Sequence, residues 1–276
     1  PISTPRGSQG TSRATSSTRE GHSNEEGGFR VAVRVRPLTT EEEAKGGERV
    51  LRCRNPKVLE LLLTPAVNGS ESRFYNFDLC AHEGFSQEEM FSSCGLMPLL
   101  VAAIDGYACT VFAYGATGAG KTYTMSGREQ ISRVQEIRTS RAKNTPDESD
   151  GLIQRSMRYI FDRVSSLPED VKLRIRASYC EIYNEVVFDL LNRQDRPLQV
   201  RYNSKRGFFV QGLFEVEIRG LEDIMAVVDE GNGNRRVAAH AINQDSSRSH
   251  SLLTVYLQSE QSSEEDIHSI QKFGKA

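Results

Sequence analysis

The segment Gly115-Ala-Thr-Gly-Ala-Gly-Lys-Thr122 restricts what this chain can fold into more than any other part of its sequence. It fits the pattern G-x-x-x-x-G-K-[ST] without a mismatch. A short apolar run, Cys109 to Tyr114, leads into it, and the residues after it can start a helix. Glycines at those positions let the backbone turn tightly enough for successive N–H groups to converge on phosphate oxygens. The helix that follows adds unpaired N–H groups and the positive end of its dipole. Lys121 supplies a cation for the β- and γ-phosphates, and Thr122 a hydroxyl for magnesium. Gly115, Ala116, Thr117, Gly118, Ala119, Gly120, Lys121 and Thr122 are therefore candidate nucleotide-binding residues, with ATP and Mg2+ as the ligands. With glycine near 7% of average composition, a chance match in a chain of this length is on the order of 1%, so the loop is taken as real.

A strand feeding such a loop belongs in an α/β sheet, and the rest of the chain agrees. Phe29 to Pro37 alternates apolar and basic residues, which predicts a strand ended by proline. Short β-favouring runs between Glu48 and Asp78, broken at Asn55-Pro56 and Asn68-Gly69, predict small hairpins. Ser86 with Glu89 three residues on reads as a helix start, and Met90, Cys94, Met97, Val101 and Ile104 follow at helical spacing. That pattern predicts one helix ending at Gly106.

Beyond the loop, Gly151 to Val164 is a helix candidate. Val171 to Ile182 reads as a strand with Leu173, Ile175, Ala177 and Tyr179 on one face. Leu198–Tyr202 and Phe208–Val210 suggest a hairpin, Leu221 to Val228 starts a helix, and Ser251 to Gln258 alternates as a strand. The expected architecture is a central mixed, mostly parallel sheet with helices on both faces. Residues 1–28 contain Ile2 as their only large apolar side chain and read as a disordered leader, leaving residues 29–276 as one domain. Gly127 to Asp150 is polar and aperiodic, which suits a solvated surface loop.

Charge and cysteine content exclude several partners. The chain carries 35 basic and 37 acidic residues, a formal charge of −2, so nothing in the whole-molecule balance calls for nucleic acid or an anionic membrane. Its five cysteines are scattered and odd in number, matching neither a disulfide framework nor zinc-ligand spacing. A reducing compartment follows from that usage. No apolar stretch approaches the roughly 20 residues of a membrane span, and no secretory signal is visible, so the expectation is a cytoplasmic protein without membrane insertion.

Asn243-Gln-Asp-Ser-Ser-Arg-Ser-His250 is the second place where chemistry could reside. Ser246 and Ser247 are small donors able to approach a phosphate or magnesium, and Asn243 can orient a water. Read by residue type alone, the run is more readily a polar loop ahead of a strand.

Taken together and in order, these motifs resemble a kinesin motor domain over nearly everything from Phe29 onward. The resemblance rests on Arg34-x-Arg36-Pro37 and on Thr110-Val-Phe-Ala-Tyr-Gly115 with its glycine loop and trailing Tyr123-Thr-Met125. It rests also on Ser178-Tyr-Cys-Glu-Ile-Tyr-Asn-Glu185 with Asp189-Leu-Leu191, and on the switch I pattern N-x-x-S-S-R-S-H. Myosins have a similar G-A-G-K-T ending, but their switch I resembles S-S-R-F-G, whereas Ser249-His250 follows the arginine here.

The resemblance implies a P-loop NTPase of kinesin type. Pro37 and Tyr123 would flank the adenine with Arg34 beside it, and Arg36 at the same strand end would contact the nucleotide as well. Residues 115–122 would cradle the phosphates. Ser246 and Ser247 would meet the γ-phosphate, Ser247 also the magnesium. Asn243 would lie near the lytic water, Arg248 would form the switch salt bridge, and Lys121 would stabilise charge. The Glu181–Leu191 block is expected to be architectural. The implied protein is an ATP-dependent motor on microtubules (tubulin) in the cytoplasm and cytoskeleton, a homodimer through a stalk not present in this chain.

Some features depart from the family pattern. No D-x-x-G-S-E switch II motif occurs in the 276 residues, and Lys272 to Ala276 reads as the start of the strand that precedes it in kinesins. The expectation is a motor domain whose C-terminal part is missing: ATPase activity in the full-length protein, and none in the 276-residue chain alone. The alternative is a non-enzymatic pseudo-motor or nucleotide-binding regulator. Ala116 replaces the glutamine common in kinesin P-loops, and Asp245 adds a negative charge beside the γ-phosphate approach. Arg201 to Phe209 resembles the twelfth vertebrate subgroup.

Overall fold

The computed structural model describes residues 29–63, 71–127, 147–167, 173–194, 196–204, 207–241, 249–259 and 270–275. The fold is that of the unit Val31–Ala276. The first alternating run forms β1 (Ala32–Arg34), shorter than its pattern suggests. α1 (Thr40–Ala44) follows, started by Thr39 in a capping box with Glu42. β2 (Leu51–Asn55), β3 (Val58–Leu63) and β4 (Glu71–Asn76) form the expected antiparallel meander, with Asn55-Pro56 at the first turn. The second predicted turn, Asn68-Gly69, lies outside the described residues. β5 (Leu79–Ala81) pairs in parallel with β1. Val35, Leu59 and Cys80 form a small core of their own beneath this lobe.

The single helix expected from Ser86 to Gly106 is in fact two. α2 (Gln87–Ser93) begins at Ser86, whose hydroxyl accepts from the Glu89 amide while the Glu89 carboxylate accepts from the Ser86 amide. Gly95 then adopts φ 83°, a left-handed conformation that glycine reaches at no steric cost, and α3 (Leu96–Ile104) starts afresh. The break shifts the helical phase. Leu96, Leu100 and Ala103 enter the core, whereas Met97, expected on the buried face, is exposed.

The central sheet is built around the strand ahead of the glycine loop. β6 (Cys109–Ala113) leads through that loop into α4 (Lys121–Ser126), and α5 (Leu152–Ser165) follows after Gly151. β7 (Leu173–Tyr183) turns through Asn184 and Glu185, both at positive φ, into β8 (Val186–Asp189). Two residues at positive φ give the tight turn whose twist matches a hairpin. β9 (Gln199–Asn203) and β10 (Gly207–Gln211) form the predicted hairpin, with Tyr202 opposite Phe208. β11 (Val216–Ile218) pairs with β7, α6 (Leu221–Ala241) crosses the sheet, and β12 (Ser249–Ser259) and β13 (Ile270–Lys275) follow.

β12 runs antiparallel to β7 over its full length and antiparallel to β13, while β13 runs parallel to β6. The strand order is β11-β7-β12-β13-β6, with β8 also paired to β7: a mixed sheet as expected, but among the described residues mostly antiparallel, with β13–β6 its parallel pair. Lys272 to Lys275, read as the start of a strand, thus lie between β12 and the strand that carries the glycine loop. Ile175, Ala177 and Tyr179 of β7 face Leu257, Val255 and Leu253 of β12 across the ladder. All six join one core with Leu100, Met157, Ile160 and Ile224 from the helices. No helix among the described residues is long and apolar enough to cross a membrane.

α6 crosses this apolar face at Gly231. A Cβ there would lie 2.0 Å from Cδ1 and 2.5 Å from Cε1 of Tyr179. The ring has little room to retreat: it is buried, and its hydroxyl donates to Asn232 Oδ1 at 3.0 Å. Helix propensity favours alanine over glycine by about 1 kcal/mol, but overpacking a core costs about 1–3 kcal/mol. Gly231→Ala is therefore expected to lower the urea midpoint. Gly233→Ala, where a Cβ meets nothing within 4 Å, should leave it unchanged or raise it.

Candidate functional site

The loop between β6 and α4 turns on left-handed glycines, Gly118 at φ 78° and Gly120 at φ 92°. A Cβ on either would enter open space, so glycine is needed there for the turn and not for room. The Ala119 amide donates to Ala116 O at 3.1 Å, and the Thr124 amide to Gly120 O at 2.9 Å. Lys121 curls back over the loop, its Nζ donating to Gly115 O at 2.7 Å and to Ala116 O at 3.2 Å. Residues Ala116 to Ala119 are exposed. A solvent-facing glycine turn with an ammonium folded over it and Thr122 beside it in the first helical turn fits a polyphosphate with its magnesium.

Only six residues long, α4 is too short to persist alone, and side chains from elsewhere fasten both its ends. Arg34, at the end of β1, is the principal tie. Its Nη1 donates to Gln87 Oε1 at 2.8 Å and to Thr124 Oγ1 at 3.2 Å, and its Nη2 donates to Phe85 O at 2.9 Å. Its guanidinium lies 5.0 Å from the Tyr123 ring centroid. Burial pulls the Arg34 pKa below its ordinary value, partly offset by Tyr123. It remains a cation at neutral pH. Gln87 closes the frame by donating from Nε2 to Tyr123 O at 2.6 Å.

The far end of α4 is held through α5. Gln154 Nε2 donates to Ser126 O at 2.6 Å. Gly127, at φ 77°, lies so close to Gly151 that a Cβ on Gly151 would come within 2.5 Å of the Gly127 nitrogen. The two glycines permit a backbone-to-backbone contact that no other residue allows.

The structure thus brings Arg34 and Tyr123 together beside the glycine loop. Arg36 is turned elsewhere. Its Nη1 and Nη2 donate to the two oxygens of Glu42 at 2.7 and 2.6 Å, and Nη1 also to Pro37 O at 2.8 Å. The Glu42 carboxylate accepts the Thr39 amide as well, at 2.8 Å. Hydrogen bonds from Arg36 first, then from the Thr39 backbone, pull the Glu42 pKa down from 4.5 to about 2. Pro37 is exposed. Asn243, Ser246, Ser247 and Arg248 lie outside the described residues.

Gln87 is not announced by the sequence, where Ser86 and Glu89 mark only a helix start. Its side chain is 1% exposed. A polar residue directly after a cap, where solvent would suffice for it, carries no local signal that it is needed in the interior.

A family model, the kinesin motor domain, matches residues 34–275. The chain belongs to the kinesin motor-domain family. It is 37% identical over 239 residues to the kinesin-like protein KIF12 of Mus musculus, covering 86% of this chain and 34% of that protein. It is also 37% identical over 235 residues to KIN-12C of Arabidopsis thaliana, covering 83% of this chain and 11% of the plant protein. The solved structure of a fast kinesin, described for its ATPase mechanism and interactions with microtubules, superposes with a TM-score of 0.71 at 29% identity. That match covers 90% of this chain and 63% of the other. This kinesin chain therefore spans less than two thirds of the length of each of these proteins. The fold is accordingly a P-loop NTPase fold of kinesin type.

Two outcomes follow from the geometry of this site. Gln87→Leu leaves the Arg34 guanidinium and the Tyr123 carbonyl each short of a buried partner. Since a hydrogen bond to a charged group contributes about 1.5–3 kcal/mol, nucleotide affinity should fall roughly tenfold or more. Titration with a fluorescent ATP analogue checks it. Glu42, whose folded-state pKa is depressed, contributes stability that is present above its ordinary value of 4.5 and is lost as pH falls toward about 2. The stability difference between the wild type and Glu42→Gln, followed by urea unfolding, should therefore shrink across that window.

Proposed function

We propose that this chain is the nucleotide-binding part of an ATP-driven motor that moves along microtubules. The observation that carries the reading is the placement of Lys121 over an exposed glycine turn at the head of a helix fastened by Arg34 and Gln87. A binding loop with that support holds its donors in place before ligand arrives, which favours electrostatic stabilisation of charge during phosphoryl transfer.

The residues divide the work as follows. Backbone N–H groups from Gly115 to Thr122 hold the phosphates, and Lys121 neutralises charge on the β and γ oxygens. Thr122 and Ser247 offer hydroxyls to Mg2+, and Ser246 and Ser247 meet the γ-phosphate. Asn243 orients the water that attacks in line, and Arg248 provides the cation of the switch ion pair. Arg34, Pro37 and Tyr123 serve the adenine side, with Arg36 holding the same strand end through Glu42. ATP supplies the scissile phosphoanhydride, and magnesium offsets the charge of its phosphates. The track is the microtubule, the place of work the cytoplasm and its cytoskeleton, and the working form a homodimer joined outside this chain.

The decisive measurement pairs nucleotide binding with microtubule-stimulated phosphate release in the full-length protein. Wild type is expected to bind ATP and to turn over faster with microtubules. Losing the charge-assisted contacts of one lysine, at about 1.5–3 kcal/mol, should make Lys121→Ala bind about ten- to a hundredfold more weakly. Unchanged binding in Lys121→Ala would overturn the site. Tight ATP binding without microtubule-stimulated turnover would assign the protein to the non-enzymatic class instead.

A further inference from the structure

Two pairs of neighbouring residues, Gln87-Glu88 on α2 and Gln154-Arg155 on α5, close a triangle of helices with α4. Successive residues of a helix point about 100° apart, so each pair can grip two different elements. Gln87 takes the Tyr123 carbonyl near the head of α4, and Gln154 takes the Ser126 carbonyl in its last turn. The third side joins α5 to α2 directly, Arg155 Nη1 donating to Glu88 Oε2. The other nitrogens of that guanidinium hold the turn ahead of α5: Nε donates to Asp150 O at 2.9 Å and Nη2 to Asp147 O at 3.1 Å. Arg155 thus braces the turn that delivers Gly151 to its contact with Gly127.

Stability alone does not account for the third side. The Arg155 side chain is 5% exposed and that of Glu88 65%, and an ion pair with one partner so open to water adds little to stability. Its effect on direction is larger. Seven residues long, α2 is too short to persist alone, and Met90 and Phe91 bury its apolar side. Apolar burial has no direction, so it does not fix the rotation of α2 about its own axis. A charged hydrogen bond to a guanidinium engaged through all its nitrogens does fix it. Turned about its axis, α2 would carry the Gln87 amide away from both the Arg34 guanidinium and the Tyr123 carbonyl.

We propose that Arg155 and Glu88 are positioning residues of the nucleotide site. They act through Gln87, setting the rotation of α2 and with it the seat of α4, whose first turn carries Lys121 and Thr122. The backbone of a glycine loop of this kind cradles phosphates that ATP and ADP share, so the pair governs affinity for both nucleotides alike. The inference rests on the reading of Gly115 to Thr122 as a phosphate-binding loop.

The test is a double-mutant cycle in the full-length protein: wild type, Glu88→Gln, Gln87→Leu and the two combined. Kd for Mg-ADP and for a non-hydrolysable Mg-ATP analogue is measured by displacement of a fluorescent ADP, with the melting temperature alongside. Glu88→Gln should weaken both nucleotides about fivefold, the low end of ordinary coupling between sites. In the Gln87→Leu background the same substitution should change Kd by less than about twofold, because the contact through which Glu88 acts is already gone. Full additivity, or a lower melting temperature at an unchanged Kd, would overturn the proposal. Should the combined variant fail to fold, Glu88→Gln alone decides: weaker binding at an unchanged melting temperature upholds the proposal, and unchanged binding overturns it. A wild type that binds neither nucleotide, or binds them as Lys121→Ala does, would instead defeat the nucleotide reading and this inference with it.

Discussion

A six-residue helix has no business being rigid, yet the head of α4 has to hold the backbone donors of the glycine loop and the Lys121 ammonium in fixed relation. Helix formation is too weakly cooperative at that length to do so. The stiffness is imported. From β1, Arg34 reaches across to Thr124 and Tyr123. Gln87, at the head of α2, ties the same arginine to the Tyr123 carbonyl. From α5, Gln154 takes the last turn. Three elements far apart in sequence therefore converge on one short helix, and the remaining architecture can be read as what places those elements: β5 aligning β1, and β13 and β12 connecting β6 to the body of the sheet.

That convergence explains which parts of the molecule were legible beforehand. The Gly115–Thr122 loop and the Ser86–Glu89 cap were legible because their chemistry is local: the residues that need one another are within a few positions. So was the apolar stripe of β7, whose alternation reappears as the buried Ile175, Ala177 and Tyr179. The break at Gly95 was not. Apolar spacing ran through it in a plausible helical phase, and only a left-handed glycine shows that the phase restarts. Likewise, nothing in the sequence of residues 270–275 says that they lie beside β6, since parallel pairing carries no turn to announce it.

The residues that escaped altogether were buried polar ones. Gln87 and Arg155 look like ordinary surface side chains when read by type, because glutamine and arginine usually are. Their partners lie 36 positions away for the Gln87 amide and 67 for the Arg155–Glu88 pair. Arg36 is the converse case. It resembles a ligand-side residue in its motif, yet its fork grips Glu42 and so rigidifies the strand end and the start of α1 together. A motif letter can be retained for what it does to the neighbouring backbone.

The contact between Gly127 and Gly151 has a further meaning for how such a domain diversifies. Because the two backbones touch, the chain between them departs from and returns to a single point on the scaffold. Closing a longer loop across fixed ends adds only about 0.6 kcal/mol for each doubling of its length. The pair of glycines therefore works as a clasp that insulates α4 from whatever is strung between them. Changes of length between those ends therefore reach the donors of the glycine loop only through the clasp.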